Sequence, residues 1–400
     1  MKQISTHVTY IGASSRSLDL FESQYPVPGG MAYNSYIVKA GKTAIMDTCD
    51  PIVGKEWMDS LLSALGTSEP DYLVVHHMEP DHSSMISLLM DRFPGLTLVC
   101  SAAALKMIPN FFPSKDYSCR SLVVSEGQSL DLEGASLSFY SAPMVHWPEV
   151  MVSYLGEDQI LFCADAFGSF GVVPEGVGVC SNNLILNDFE EWKDEARRYY
   201  CNICGKYGAQ VGRLLSKLPA LQIRMLCPLH GPMIEGGNID RAVELYSKWA
   251  GYTPELEGEV MVACASIHGG TLSVAGKLVE MLKDRGVSAH LVDLCRTDVS
   301  YSVADAFRCQ KIVLASCSYD AVLFPAMHDF LYHLQIKGLC KRKFAIIENG
   351  SWAPSAARVM KEMLSLLKQI ELVEPVVSIR SRLADRDIPA LEQLCEALLR

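Results

Sequence analysis

Ionisable side chains follow four apolar segments of this 400-residue chain, each at the point where a predicted strand ends. The richest cluster is VVHHMEPDHSS at 74–84, which overlaps the end of the apolar segment YLVV. The segments SLSFYSAPMV, QILFCA and IRMLCPL are followed in the same way by His146, Asp165 and His230. Functional groups of layered α/β proteins lie at the carboxyl ends of strands, so the pattern favours a fold that brings four strand ends together.

Seven of these residues have side chains of the types that bind metal ions. They are His77, Glu79, Asp81, His82, His146, Asp165 and His230. The alternating spacing of the first four lets some of them converge on one centre while the others turn toward a neighbouring centre. A single histidine or one solvated loop would be an ordinary feature, but seven ligand types at four strand ends indicate a metal centre. Three carboxylates favour iron or manganese over zinc, and His76 is expected to support the site rather than bind metal.

The chain divides into two regions with different patterns of strands and helices. Residues 1–250 mix short strands with helices, which predicts an α/β domain with two sheets and flanking helices. The longest helix in this region is predicted across 194–218. The polar segment 251–257, which contains Pro and Gly, is expected to be a linker. From 258 to 400 five apolar strands alternate with helices, which predicts a doubly wound five-stranded parallel sheet.

Composition and charge limit the classes of partner. The formal net charge is −11 and no basic run occurs, so neither nucleic acid nor an anionic membrane surface is an expected partner. No segment reaches the ~20 apolar residues of a membrane span, and the first residues lack a signal-peptide core, so a cytoplasmic location is expected. The 14 cysteines are expected to be reduced and mostly buried, and the CxxC from Cys201 to Cys204 to be structural.

The metal pattern resembles that of the metallo-β-lactamase superfamily over about residues 30–240. In that superfamily a loop HxHxDH is followed by a His, an Asp or Cys, and a second His; here Glu79 replaces the second histidine of the loop. This substitution and the second region make the whole chain similar to the two-domain flavodiiron proteins. The resemblance implies an N-terminal metallo-β-lactamase-like αββα sandwich, with a diiron centre, followed by a flavodoxin-like domain.

The same resemblance implies a role for each ligand-type residue. One iron would be held by His77, Glu79 and His146, the other by Asp81, His82 and His230, and Asp165 would bridge the two.

Three loops of the second region loosely resemble the FMN loops of flavodoxins. SIHGGT would hold the phosphate at a helix N-terminus, and SCSYD and NGSW would flank the flavin ring. The residues implicated are Ser266, Ile267, His268, Gly269, Gly270, Thr271, Ser316, Cys317, Ser318, Tyr319, Asp320, Asn349, Gly350, Ser351 and Trp352. Trp352 offers a flat apolar face to the ring, with core packing as the alternative. His268, Cys317 and Asp320 depart from the residues usual in flavodoxins.

The activity implied by the resemblance is reduction of O2 to water, of NO to N2O, or of both, with electrons passing from an external donor through FMN to the diiron site. Reduced flavin and two ferrous ions together store the four electrons that O2 needs. A head-to-tail homodimer, or a dimer of dimers, is also implied. Because no segment with two CxxC pairs and no reductase extension is found, a small redox donor such as rubredoxin is expected.

Two other functions stay open at this point. The chain could be a zinc-dependent hydrolase of metallo-β-lactamase type with a flavodoxin domain, which metal analysis would identify. It could also be a non-catalytic FMN electron carrier, which would consume neither gas. Sequence patterns do not distinguish O2 from NO as the substrate; we expect O2 reduction first, with NO reduction as a second activity.

Overall fold

The computed structural model of the chain describes residues 1–172 and 184–400 and contains two compact units. The first unit comprises Met1–Tyr200 and Ala209–Ser247, and the second comprises Cys201–Gly208 and Lys248–Arg400. The segment 251–257, expected to be a linker, lies within the second unit. Among the helices of the described residues, none has both the length and the apolar character needed to cross a lipid bilayer.

The first 250 residues contain short strands and seven α-helices among the residues that the structure describes. The strands are β1 (Lys2–Gln3), β2 (Val8–Tyr10), β3 (Ala13–Ser15), β4 (Leu20–Phe21), β5 (Tyr25–Pro26), β6 (Met31–Tyr33), β7 (Tyr36–Lys39), β8 (Thr43–Met46), β9 (Tyr72–Val75), β10 (Thr97–Ser101), β11 (Ser121–Val124), β12 (Ser129–Asp131), β13 (Ser136–Ser141), β14 (Met151–Leu155), β15 (Ile160–Phe162), β16 (Met225–Cys227) and β17 (Ile234–Glu235). The helices are α1 (Gly54–Leu65), α2 (Pro80–Ser83), α3 (Ile86–Arg92), α4 (Ala102–Phe111), α5 (Phe189–Ile203), α6 (Gly208–Leu215) and α7 (Gly237–Ala250).

Two large mixed sheets form the core of the first unit, as predicted, and two short pairs of strands, β3-β6 and β4-β5, lie outside them. One has the strand order β1-β2-β7-β8-β9-β10-β11, and the other has the order β12-β13-β14-β15-β16-β17. Apolar residues from both sheets form one buried cluster, including Val74 of β9 and Phe162 of β15. Burial of these side chains is the main term that holds the two sheets face to face.

The helix predicted across 194–218 is interrupted in the structure. Helix α5 ends at Ile203, a single 3₁₀ turn follows at Gly205–Tyr207, and α6 begins at Gly208. A Cβ on Gly208 would lie 2.4 Å from the carbonyl oxygen of Ala250, so a glycine is needed at this close approach of two backbone segments. The sequence prediction of one continuous helix was therefore wrong, because the glycines mark a tertiary contact rather than a tolerated helix position.

The second unit contains a parallel sheet with helices between its strands. Its elements are β18 (Leu256–Ala265), α8 (Gly270–Asp284), β19 (Ala289–Asp293), α9 (Val299–Arg308), β20 (Cys309–Tyr319), β21 (Val322–Leu323), α10 (Pro325–Ile336), β22 (Lys343–Asn349), α11 (Ala356–Leu364), β23 (Glu371–Ile379) and α12 (Ile388–Leu399). The order β19-β18-β20-β22-β23 is that of a doubly wound sheet of five parallel strands, which confirms the predicted fold class. The near-continuous apolar runs of β18, β20 and β22 are buried because helices cover the sheet.

Candidate metal centre and flavin site

The loop after β9 divides its four ligand-type residues into two pairs. His77 and Glu79 precede α2, whose first residue is Pro80. Proline is favoured at the first helical position because its ring fixes φ and no helical hydrogen bond is lost there. The change from extended chain to helix places Asp81 and His82 on the first turn of α2, away from the other pair.

The first pair belongs to a group of four converging side chains. His146, from the loop between β13 and β14, and Asp165, beyond the end of β15, complete this group. The Nε2 atom of His77 lies 3.2 Å from Glu79 Oε2 and 3.3 Å from Asp165 Oδ2. The Nε2 atom of His146 lies 3.0 Å and 3.1 Å from the same two oxygens. Two imidazole nitrogens and two carboxylate oxygens thus face one point.

The second pair belongs to a group with His230, which follows β16. The Nε2 atoms of His82 and His230 lie 3.0 Å apart. Asp81 Oδ2 lies 3.4 Å from the first of these nitrogens and 3.2 Å from the second. These three side chains are buried and face a second point, so the structure brings all seven predicted residues together in two groups.

Asp165 lies between the two groups and directs one oxygen to each. Its Oδ2 faces His77 and His146, whereas its Oδ1 lies 3.4 Å from His82 Nε2 and 3.7 Å from His230 Nε2. A carboxylate in this position has the arrangement of a ligand that bridges two metal ions.

The donor atoms of both groups satisfy one another incompletely. Both carboxylate oxygens of Asp81 and both of Asp165 are buried without a hydrogen-bond partner. Buried carboxylate oxygens that face histidines without well-formed hydrogen bonds are costly, and metal ions bound between these atoms would remove that cost. The residues present therefore fit a pair of metal ions.

The carboxylates control the protonation of the histidines in the metal-free site. Burial lowers the pKa of His77, but the nearby Asp165 and Glu149 raise it by more, and the result lies well above the usual value. Burial opposes ionisation of His146 too, yet Asp165 and Glu79 raise its pKa to about 9. The pKa of Glu79 and that of Asp165 are lowered against the effect of burial by the same histidines. Metal ions would replace these imidazolium protons.

The flavin loops predicted from the sequence lie at the carboxyl edge of the parallel sheet, around a cavity of about 840 Å³. Every one of those residues except Ser316, which is fully buried, lines this cavity. Gly269 has φ +81° at the start of α8, in the left-handed region that favours glycine. The unpaired N–H groups at this helix N-terminus are suited to a phosphate group.

One asparagine fixes the loops around the cavity to one another. Asn349 Nδ2 donates to Thr271 Oγ1 at 3.3 Å and to the carbonyl oxygen of Ser381 at 3.0 Å, and its Oδ1 accepts from the Ser381 N–H at 2.9 Å. Ser381, Arg382 and Leu383 follow β23 and also line the cavity. Sequence reasoning missed this fourth loop, because flavodoxin-like patterns draw attention only to the other three.

Trp352 is 83% exposed at the cavity, which excludes the alternative that it packs in a core of the described chain. An exposed indole beside a cavity offers one face for stacking against a planar ring. Tyr319, the last residue of β20, lines the same cavity and is 43% exposed.

Comparison with known proteins identifies the first region. The family model described as ODP family beta lactamase matches residues 31–231, just over half of the chain. The chain belongs to this family. The match includes all seven residues of the two groups of candidate metal ligands.

Relatives of this ODP-family chain extend across both units. An uncharacterized protein of Methanocaldococcus jannaschii is 25% identical over 91% of the chain and 89% of its own length. The anaerobic nitric oxide reductase flavorubredoxin of Salmonella typhi is 24% identical over 94% of the chain and 76% of its own length.

Solved structures match nearly the whole fold. Rubredoxin oxygen:oxidoreductase from Desulfovibrio gigas superposes with a TM-score of 0.91 at 22% identity, over 100% of this chain and 98% of that one. The flavodiiron protein from Giardia intestinalis gives 0.88 at 19% identity, over 100% and 95% of the two chains. The predicted resemblance to flavodiiron proteins is thereby confirmed at the level of the fold.

Sequence reasoning missed a carboxylate that orients a metal-binding candidate. Glu149 Oε1 accepts hydrogen bonds from His77 Nδ1 and from the Met78 N–H, both at 2.8 Å. The bond to Nδ1 leaves Nε2 of His77 free to face the group of four. The signal for Glu149 was its place in HWPE, three residues after His146.

His76 supports the loop, as the sequence predicted. Its Nδ1 lies 2.5 Å from Asp47 Oδ2, its backbone N–H donates to Asp47 Oδ1 at 2.7 Å, and its Nε2 lies 2.7 Å from Ser153 Oγ. All three side chains are buried. The network connects β8, the loop after β9, and β14, so it fixes the metal-binding loop relative to both sheets.

Aromatic rings surround His230. Phe21, Tyr33 and Tyr199 lie with their ring centroids 5.2, 5.7 and 5.6 Å from the imidazole. The imidazole Nδ1 also donates to the carbonyl oxygen of Ala32 at 2.7 Å, which directs Nε2 into the site. This apolar wall limits water on one side of the second group.

Proposed function

We propose that this chain binds two iron ions and FMN, and that it is an oxidoreductase that reduces O2 to water, NO to N2O, or both. The observation that carries the proposal is the position of Asp165, with one carboxylate oxygen toward each of two groups of donor atoms. The proposed ligands are His77, Glu79 and His146 for one ion, Asp81, His82 and His230 for the other, and Asp165 for both.

The donor set supports iron rather than zinc. Glu79, Asp81 and Asp165 supply three negative charges against the four of two divalent ions, and hard oxygen donors favour iron or manganese. When bound, the diiron pair would bind the diatomic substrate and deliver electrons that the flavin resupplies. Reduction of O2 to two waters consumes four electrons and four protons, whereas conversion of two NO to N2O and water consumes two of each.

Other residues of the protein would orient the metal ligands and limit the access of water to them. Glu149 holds His77 in one orientation, and the Ala32 carbonyl does the same for His230. The aromatic rings around His230 limit water on one side of the second group, which strengthens electrostatic interactions there.

The cavity of the second unit would hold FMN. The N-terminus of α8 provides N–H groups for the phosphate, and Asn349 keeps the surrounding loops in place. Trp352 would stack on the flavin ring, since its indole is exposed at the cavity and has polar loops as neighbours.

We further propose that a small redox protein of rubredoxin type supplies electrons, and that the chain acts as a head-to-tail homodimer. The names of two relatives, flavorubredoxin and rubredoxin oxygen:oxidoreductase, support the choice of donor. Light scattering of the purified protein would test the dimer: a mass of one chain at working concentration contradicts it.

The activity is tested with O2 and NO electrodes on protein loaded anaerobically with iron and FMN and supplied with reduced rubredoxin. Consumption of at least one gas is expected, with loss of nearly all activity in Asp165→Asn and none in the matched control Asp59→Asn, an exposed residue of α1. If the FMN cycles with the donor and neither gas is consumed, the chain is an electron carrier and the proposal is wrong.

A further inference from the structure

A third group of side chains of metal-ligand types lies at the amino edge of the parallel sheet, opposite to the flavin loops. Its members are Glu259 near the start of β18, His290 of β19 and Cys309, the first residue of β20. Strand β18 lies between the other two, and Val260 pairs with Ala289 on one side. Parallel pairing therefore brings the three side chains together although they are far apart in the sequence.

The donor atoms of the cluster lie close enough together to share one metal ion. One atom each of Glu259, His290 and Cys309 lies within 4.8 Å of the other two. The carboxylate Oε1 of Glu259 is 3.0 Å from His290 Nδ1. Cys309 is fully buried, whereas the side chain of His290 is 29% exposed, so solvent reaches the cluster from one side.

The second ring nitrogen of the histidine already has a partner. His290 Nε2 donates to Asp305 of α9, which leaves Nδ1 directed at Glu259, in the cluster that includes Cys309. Nδ1 is buried and makes no hydrogen bond, although the Glu259 oxygen is within range. An imidazole held by a carboxylate at one nitrogen, with the other nitrogen facing a thiol and a carboxylate, is the usual arrangement of a metal-ligating histidine.

We propose that Glu259, His290 and Cys309 bind a divalent metal ion of borderline softness, such as Zn²⁺. A donor set of one oxygen, one nitrogen and one sulfur excludes the hard ions Mg²⁺ and Ca²⁺, which take oxygen ligands, and matches zinc. The ion would connect three strands at the edge of the sheet opposite to the flavin loops, and its fourth position would be open to solvent. This site is independent of the proposed diiron activity.

The charges around the cluster balance when a divalent ion is present. Arg308 lies 3.4 Å from Glu259 and 2.7 Å from Asp305. Both carboxylates therefore contact the Arg308 guanidinium as well as His290. With Cys309 as a thiolate, three negative charges oppose one guanidinium and one divalent ion, and the sum is zero.

Metal binding at the cluster must displace protons. Burial raises the pKa of Cys309 to about 12, and its hydrogen bond to Asp305 raises the pKa of His290. Both groups lose a proton to the solvent when the metal binds, so the affinity rises with pH. No oxidant or reductant takes part.

The experiment uses the full-length, iron- and FMN-loaded protein, dialysed against Zn²⁺ alone. Iron and zinc per chain are then measured by elemental analysis, and zinc X-ray absorption reports whether sulfur is a ligand. One zinc with a sulfur ligand at about 2.3 Å is expected, without loss of iron. Because the diiron ligands include no cysteine, a zinc ion that replaced iron would lower the iron content and show no sulfur.

Three variants make the result specific. His290→Gln and Cys309→Ser should abolish the sulfur-ligated zinc, and Asp305→Asn should weaken its binding by about 10- to 100-fold. Cys395→Ser, another buried cysteine of the second unit, is the matched control and should keep the zinc. If Cys309→Ser does not fold, His290→Gln at its partly exposed position decides alone. Absence of zinc from the native protein, zinc without sulfur, or zinc retained in His290→Gln overturns the proposal.

Discussion

Replacement of Glu149 by glutamine tests whether the carboxylate that orients His77 contributes to metal binding, because His77 itself is unchanged. In the native protein one oxygen of Glu149 accepts from both His77 Nδ1 and the Met78 N–H, each at 2.8 Å. Burial opposes ionisation, but these hydrogen bonds outweigh it and keep the pKa of Glu149 below its usual value. Glutamine preserves the shape and one acceptor oxygen but removes the negative charge that polarises the imidazole.

The expected magnitude follows from these contacts. Loss of a carboxylate that holds a metal-ligating histidine lowers metal affinity by about 10- to 100-fold, which is about 1.4–2.8 kcal/mol. The other carboxylate oxygen of Glu149 is buried without a partner, so the new amide would be unpaired there at a cost of about 1–3 kcal/mol. A domain stable by about 5–15 kcal/mol tolerates this cost and stays folded.

The assay is stepwise removal of iron by dialysis against a graded chelator series, with iron counted per chain and circular dichroism as a check of folding. Glu149→Gln should lose its first iron at a chelator strength that leaves both irons in the native protein. The second iron, whose proposed ligands do not contact Glu149, should be lost as in the native protein. Glu56→Gln, an exposed residue of α1, is the control. Unchanged retention of both irons, or equal weakening of both in a folded protein, would refute the reasoning.

Three further perturbations test other parts of the structure. Asp47→Ala leaves two buried donors of His76 unpaired and should lower the free energy of unfolding in urea by about 2–6 kcal/mol, whereas Asp47→Asn should cost much less because the other histidine tautomer restores both bonds. Gly270→Ala places a Cβ 2.4 Å from a carbonyl oxygen of the loop after β23 and should reduce the FMN content per chain, measured by absorbance. The control Gly276→Ala, which has open space in the middle of α8, should bind FMN normally and gain up to about 1 kcal/mol in stability. In the metal-free protein the pKa of His146 is about 9, above its unfolded value of 6.5. Its stabilising contribution is therefore complete below pH 6.5 and is lost as the pH rises through 9. A melting temperature that does not fall across this window contradicts the pairing of His146 with Glu79 and Asp165.

The candidate metal ligands were predictable because each of them lies just after a short apolar segment of the sequence. Local pattern places a residue such as Asp165 at a strand end, and parallel or adjacent strands bring such ends together. Ser153, inside β14, carries no such mark, and Glu149 is marked only by its place in HWPE; Asp47 does follow the apolar strand β8, but this position alone does not show that it binds His76. Their roles depend on which strands become neighbours across two sheets, and this is fixed by tertiary packing rather than by spacing in the chain.

The second unit shows the same division. Regular alternation of strands and helices predicted its doubly wound parallel sheet, and the resemblance to flavodoxins predicted three of the loops around the candidate flavin cavity. The loop at Ser381 was missed because its place depends on hydrogen bonds to Asn349, a contact between segments 32 residues apart. The cluster of Glu259, His290 and Cys309 was missed for a related reason, since its members come from the starts of three different strands.

The central proposal is that the two groups of donor atoms in the first unit hold iron and that the second unit binds FMN. The most direct test is elemental and flavin analysis of the protein purified anaerobically from cells grown with both iron and zinc. The metal content of the Asp165→Asn variant, purified in the same way, shows how much metal is bound elsewhere in the protein. The account predicts two iron ions and one FMN per chain, with the iron lost in the variant. Two zinc ions and no iron in the native protein would contradict it and favour a hydrolase.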